Sequence, residues 1–189
     1  MPLVDILIPT YEPHPAFLTA AIESVLAQTE TRWSMLIHDD ASTADVRSIV
    51  APYLTDPRIR FERSSTRLGI GGNWNACLHM SMNSDGSYVQ FLFQDDVWKG
   101  TYLEASLRTL EAEPSIGFTF ANHAYIFEEQ NPMQDYYKQI ENIRRNIPNG
   151  IHTGRSFLEQ WIERELQPNI IGEPSFVMLR KNMISSVGD

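Results

Sequence analysis

Cysteine is nearly absent from this chain. Cys77 is the one thiol in 189 residues, which excludes an internal disulfide framework and fits a reducing compartment. Long apolar runs are missing as well: nowhere do about 18 apolar residues follow one another, so no transmembrane helix is encoded. The opening Met1-Pro2-Leu3-Val4-Asp5 has no basic n-region and breaks its apolar stretch with an acid, unlike a secretory signal. Basic residues are scarce, 15 Lys+Arg against 24 Asp+Glu. The net charge of −9 removes the electrostatic footprint expected of a nucleic-acid or anionic-lipid binder. No GxxxxGK[ST] loop, HExxH helix or GxSxG elbow occurs, which sets aside the usual ATPase, zinc-protease and esterase readings. Internal repeats and low-complexity tracts are absent too. The expected setting is cytoplasmic.

What is present has the make-up of an ordinary globular protein, 42% hydrophobic and 21% charged. With roughly 150 residues per domain as the prior, one domain over residues 1–189 is expected. A chain of this size hides about 70% of its unfolded surface, enough for a sizeable core. Residues 3–8 read as a nearly continuous apolar strand, the kind buried on both faces of a parallel sheet. Further strands are expected at residues 33–37, 58–62, 88–93, 116–121 and 176–179, and helices at 17–26, 73–82, 102–111 and 157–165. Ser42-Thr43-Ala44-Asp45 has capping-box form and should open a helix running to about Tyr53. Strands alternating with helices imply right-handed βαβ units, hence an α/β domain with a mainly parallel sheet flanked by helices. After residue 127 the character changes. Residues 128–149 are polar, charged and Tyr-rich, with Pro132 and Pro148 as breakers, and read as a loop excursion at the sheet edge. The domain thus divides into a ligand-binding half, 1–127, and a second region, 128–189.

Three polar clusters stand directly after expected strands: Pro9-Thr10-Tyr11-Glu12, Asp39-Asp40-Ala41-Ser42 and Gln94-Asp95-Asp96. In an open parallel sheet this rim, near the point where strand order reverses, is where ligands bind. Five carboxylates on one rim repel one another and raise each other's pKa, a penalty that a divalent cation removes. Oxygen donors without Cys or clustered His suit Mn²⁺ or Mg²⁺ rather than Zn²⁺, and such an ion bridges carboxylates to substrate phosphates. Taken singly, an Asp-Asp pair after a strand is more often a turn or a helix cap than a site; two such pairs, each directly after a buried-type strand, favour the site. Gly69-Ile70-Gly71-Gly72-Asn73-Trp74 approaches a dinucleotide fingerprint, but Trp74 stands where the third glycine belongs. Cys77 reads as a core cysteine, and the five histidines have no metal-ligand spacing. His38 beside Asp39 either lines the site or is a structural histidine, and Tyr136, Tyr137 and Trp161 either pack under a loop or meet an acceptor.

Taken in order, several words of the sequence resemble family-2 glycosyltransferases of the GT-A fold. They are Val4-Asp5-Ile6-Leu7-Ile8-Pro9-Thr10-Tyr11, Ile22-Glu23-Ser24-Val25-Leu26-Ala27-Gln28-Thr29, His38-Asp39-Asp40-Ala41-Ser42-Thr43 and Leu68-Gly69-Ile70 through Asn73-Trp74-Asn75. Phe91-Leu92-Phe93-Gln94-Asp95-Asp96 follows and, more loosely, Gly172-Glu173-Pro174-Ser175. The resemblance implies a Rossmann-like GT-A domain that moves a sugar from a nucleoside diphosphate donor, UDP-sugar favoured, to an acceptor hydroxyl with inversion, assisted by Mn²⁺ or Mg²⁺. By the same resemblance Pro9, Thr10, Tyr11 and Glu12 match a nucleotide-contacting loop, Asp39 matches the acid that meets the base, and Asp40 is its neighbour. Gly69 and Asn73 join the donor set, Asp95 lies by the ribose and the metal, and Asp96 is the principal metal ligand. Gln94 occupies the first position of the DxD motif. Ala41 replaces the family's usual glycine, which a negative φ there would tolerate.

The family's catalytic base follows the segment resembling Gly172-Glu173-Pro174-Ser175. Here the chain stops at Val187-Gly188-Asp189, so the expectation is a C-terminally shortened domain whose base lies past Asp189, with Glu173 and Asp189 as substitutes inside the chain. Expected partners are a nucleotide-sugar donor and a saccharide or lipid-linked acceptor, without nucleic acid. Such acceptors would suit peripheral association at the inner membrane face, although no basic amphipathic helix marks it. Two other classes stay open: a module that binds nucleotide sugars without turnover, and a nucleotidyltransferase. The latter would want a Gly- and Lys-rich phosphate loop where Pro9-Thr10-Tyr11-Glu12 stands.

Overall fold

Strand β1 (Val4–Thr10) is buried along its whole length, as its apolar run requires, because it pairs with a strand on either side. The structure, a computed structural model, describes residues 3–127, 131–166, 169 and 171–187, apart from the side chains of residues 185 and 187. Strands β2 (Trp33–Asp39), β3 (Ile59–Arg63) and β4 (Tyr88–Phe91) join β1 in parallel, and β5 (Phe118–Phe120) and β6 (Val177–Arg180) complete the sheet. The order is β3-β2-β1-β4-β6-β5, with β6 antiparallel to both neighbours. All six expected strands are present, and the mainly parallel α/β class holds.

Alternation along the strands sends side chains to two faces. On one face Ile6, Ile8, Met35 and Ile37 pack under α1 (Pro15–Leu26), α2 (Val46–Val50) and α4 (Tyr102–Ala112). On the other face Leu7, Leu36, Val89 and Phe91 meet Cys77, Trp74 and Leu78 of α3 (Gly69–Met82), with Ile184 of α7 (Lys181–Val187) alongside. The one acid inside β1, Asp5, is 3% exposed and compensated in full. It accepts from Ser34 Oγ at 2.7 Å, takes a hydrogen bond from Ser84 and pairs with the buried Lys181 ammonium. Gly86 lies against this carboxylate, where a Cβ would sit 2.7 Å from Asp5 Oδ2.

Two local expectations change. The segment 42–45 does not open a helix; α2 starts at Val46 with Asp45 as its cap, the carboxylate accepting the Ser48 N–H at 3.1 Å. Ser42 is committed elsewhere, to Asp39 and Glu12, so its hydroxyl cannot also cap. The polar excursion 128–149 is not all loop: it carries the helix α5 (Gln134–Arg145), and α6 (Gly154–Glu163) follows it. Pro132 and Pro148 bracket α5 rather than interrupt it. Asp135 in its first turn and Arg144 with Arg145 in its last complement the helix dipole. Ile140 and Arg144, one turn apart, form its buried edge.

Candidate functional site

From β1 the chain runs outward to β2 and β3 and then returns to β4 on the other side, so strand order reverses between β1 and β4. Beyond the carboxyl ends of these strands lies a cleft of about 370 Å³. Six of the residues expected at the site line it: Pro9, Thr10, Tyr11, Asp40, Asn73 and Asp95. Glu173 lines it from the β6 side, because antiparallel β6 begins at the rim where its neighbour β4 ends. Glu12, Asp39, Gly69 and Asp96 are not on its walls. Asp189 lies outside the described residues.

The acids of this rim differ in what neutralises them. Glu12 accepts from the Thr43 N–H at 2.6 Å, the Thr43 hydroxyl at 2.8 Å and the Ala44 N–H at 3.3 Å. These bonds, the Thr43 N–H foremost, hold its carboxyl below the usual carboxylate range. Asp39 is fully buried; one oxygen takes the Ser42 N–H and hydroxyl, and the other faces Arg63 Nη1 at 3.1 Å. Asp40, 2% exposed, accepts the Leu68 N–H at 2.6 Å and the Gly69 N–H at 2.9 Å, so it satisfies free donors at the start of α3. Gly69 has φ +78 there, which suits glycine. Ala41 has φ +56, not the negative value expected; the Asp-Asp turn is left-handed at this residue, and the alanine methyl carries a steric cost that glycine would not.

Asp95 and Asp96 are the pair left over. Asp95 is exposed on the cleft wall, while Asp96 is half-buried and its Oδ2 is buried without a hydrogen-bond partner. Burial pushes the Asp96 carboxyl up to about 6; the Ser175 hydroxyl opposes the shift, and the Asp95 and Glu173 carboxylates add to it. Among the described residues no group of three or more His, Cys, Asp and Glu side chains is arranged to hold a metal ion. A pair of carboxylates with one orphaned oxygen nevertheless fits a hard divalent cation that takes its remaining ligands from water and phosphate.

A buried polar network fixes the floor of the cleft. Asn73 Nδ2 donates to Thr10 O at 3.2 Å, and its Oδ1 lies 2.6 Å from His38 Nδ1. His38 is therefore structural, 3% exposed beneath the site rather than lining it.

The family model described as glycosyl transferase family 2 matches residues 5–166. The chain belongs to glycosyl transferase family 2. It is 29% identical over 187 residues to the uncharacterized protein MT1568 of Mycobacterium tuberculosis, covering 99% of this chain and 56% of that protein. It is 31% identical over 124 residues to WfgD of Escherichia coli, named as a UDP-Glc:alpha-D-GlcNAc-diphosphoundecaprenol beta-1,3-glucosyltransferase, covering 66% of this chain and 47% of that protein. The chain thus spans about half the length of these curated relatives. Among solved structures, the mannosyltransferase PcManGT of Pyrobaculum calidifontis, in complex with GDP-Man and Mn²⁺, superposes with a TM-score of 0.57 at 20% identity. That match covers 74% of this chain and 38% of PcManGT.

Around the cleft of this family-2 domain, Arg67 was not singled out in the sequence, and Trp74 and Ser175 were given no role there. Arg67 places its guanidinium 4.1 Å from the Tyr11 ring centroid, a cation on an aromatic face at the cleft wall. Its place next to the Leu68-Gly69 word was the available signal. Trp74 fills the third-glycine position because it stacks on Phe93, 5.0 Å between centroids, and walls the cleft. Ser175, fully buried, accepts the Phe93 N–H at 2.9 Å and joins the β6 entry to the end of β4. Among the described residues no helix is long and apolar enough to cross a membrane.

Proposed function

We propose that this domain binds a nucleoside diphosphate sugar, UDP-sugar favoured, in the cleft between β1 and β4, and transfers the sugar to an acceptor hydroxyl with inversion. The observation that carries this is the division of the rim acids. Glu12, Asp39 and Asp40 are held by backbone N–H groups and Arg63, whereas at the end of β4 Asp95 is exposed on the cleft wall and Asp96, met by the Ser175 hydroxyl, keeps Oδ2 buried without a partner. Tyr11 and Arg67 at the β1 and β2 end offer a ring and a cation to the nucleoside, and Pro9, Thr10, Asp40 and Asn73 shape the wall between. Asp96, with Asp95, would hold Mn²⁺ or Mg²⁺, which supplies charge neutralisation for the departing nucleoside diphosphate. Gln94 ties the β4 turn to the end of β1, and Trp74 stacks on Phe93, two residues before Asp95. WfgD is named for UDP-Glc and a lipid-linked acceptor and PcManGT was solved with GDP-Man and Mn²⁺, which supports a nucleotide-sugar donor and a saccharide or lipid-linked acceptor.

Thermal unfolding tests this reading. With Mn²⁺ and UDP or GDP at about a hundred times Kd, stabilisation of about 2.7 kcal/mol is expected, a rise of roughly 5–10 °C for a domain of this size. Asp96→Ala should remove it. Absence of any shift with UDP, GDP or dTDP and either metal would refute the reading.

A further inference from the structure

The segment Gly172-Glu173-Pro174-Ser175 brings Glu173 to the cleft wall and is clamped on both sides of it. On the carboxyl side Gln90 Nε2 donates to Pro174 O at 3.0 Å and Trp98 Nε1 to Ser175 O at 2.9 Å. Gln90 is itself fully buried and oriented by the Tyr102 hydroxyl, which donates to its Oε1 at 2.9 Å.

On the amino side the clamp comes from α5. Arg144, 6% exposed, directs Nε at 3.1 Å and Nη2 at 2.8 Å to the carbonyl of Asn169, while Nη1 meets Tyr125 Oη at 2.9 Å and His123 Nε2. The Asn169 side chain closes on Gly172 in both directions, Nδ2 donating to Gly172 O at 2.7 Å and Oδ1 accepting its N–H at 3.2 Å. Gly172 has φ +96, and a Cβ there would lie 2.8 Å from His123 Cε1, so residue 172 is confined to glycine by backbone and neighbour alike. A buried guanidinium that directs two hydrogen bonds to the carbonyl of one loop residue is a costly way to fix a surface turn. It is economical if the turn carries a group whose position matters.

That group is Glu173. Along the rim the sheet order places Asp40 after β2, Tyr11 after β1, Asp95 after β4 and Glu173 before β6. A ligand with its nucleoside at the β2–β1 end and its diphosphate at Asp95 extends its next group, the sugar, toward Glu173. A base for inversion must stand across the anomeric carbon from the leaving diphosphate. Glu173 shares the cleft wall with Asp95, on the diphosphate side, which suits a contact to a sugar hydroxyl instead.

We propose that Glu173 binds a hydroxyl of the transferred sugar and that Arg144, through Asn169 and Gly172, is the positioning residue that holds it there. This rests on the donor-site reading above. Titration calorimetry in Mn²⁺ with the matched pairs UDP and UDP-Glc, UDP and UDP-GlcNAc, and GDP and GDP-Man reads the two apart. In the wild type one nucleotide sugar should bind more tightly than its bare nucleotide. Glu173→Gln, Asn169→Ala and Arg144→Lys should each keep nucleotide affinity and lose about tenfold of the added affinity due to the sugar, the size of a hydrogen bond to a charged group. Asn169→Ala removes only a surface side chain and so covers the case in which Arg144→Lys fails to fold. An unchanged sugar increment in Glu173→Gln or Asn169→Ala overturns the inference, as does a wild type with no increment. A wild type that binds none of the ligands overturns the donor-site reading and this inference with it.

Discussion

A carboxamide at residue 94 does something that a carboxylate cannot. Gln94 Oε1 accepts the Tyr11 N–H at 2.9 Å while its Nε2 donates to Tyr11 O at 3.3 Å, so the departure from DxD exchanges an acid for a clasp between the ends of β1 and β4. Ala41 is the opposite kind of departure, one the backbone does not favour. Its left-handed conformation costs an alanine roughly 1–2 kcal/mol, against about 0.4–1 kcal/mol for the extra unfolded-state freedom of a glycine. Ala41→Gly should therefore stabilise the domain by about 0.5–1 kcal/mol, seen as a higher urea midpoint at unchanged m-value. A lower midpoint would mean that the left-handed turn is not strained.

At the scale of elements, most of the fold was legible and α5 was not. The buried strands announced themselves because each is a short apolar run bounded by polar residues, whereas α5 has a narrow buried edge of Ile140 and Arg144 amid polar residues. Its second anchor is an arginine, a residue type that sequence patterning assigns to solvent. The junction of α5 with the sheet also depends on His123 being neutral, since Nε2 accepts from Arg144 and the ring stacks on Phe176 at 4.0 Å. Burial, and after it the Arg144 guanidinium, push this imidazole down from 6.5 to about 4. The unfolded chain therefore takes up the proton first as pH falls. The contribution of the neutral ring is complete above about pH 6.5 and is lost progressively as the pH drops through that value toward 4. Unfolding free energies of wild type and His123→Phe across this window should diverge, the wild type losing more toward acid; a constant difference would contradict the assignment.

At the scale of the whole molecule, the sheet is closed by residues far apart in the chain. β6, from the last part of the sequence, inserts between β4 and β5, and Lys181 at the start of α7 pairs with Asp5 of β1. Opening one face thus means disrupting contacts from both ends, which makes unfolding cooperative. Cys77 reports on this. It is fully buried on the sheet-facing side of α3, and burial pushes its thiol up to about 12. At pH 8 a thiol reagent should label it only at the rate at which the domain opens, accelerating through the urea unfolding transition. Prompt stoichiometric labelling in native buffer would show that α3 opens separately from the sheet.

Local chemistry by itself determined the α/β class, the six strands and the acidic words at three strand ends, because apolar periodicity and turn residues act over a few positions. The order of the strands was beyond it, since pairing is decided between segments up to 92 residues apart, as for Tyr88 and Arg180. So was the standing of each acid. Five carboxylates on one rim looked equivalent in the sequence, yet Arg63 faces Asp39, Thr43 and Ala44 hold Glu12, and Leu68 and Gly69 hold Asp40. Whether a carboxylate is free to take a ligand depends on the donors packed around it. Here the folded chain brings backbone N–H donors and Arg63 from other segments to the first three, and leaves Asp96 with the Ser175 hydroxyl alone and an unpartnered Oδ2 beside Asp95.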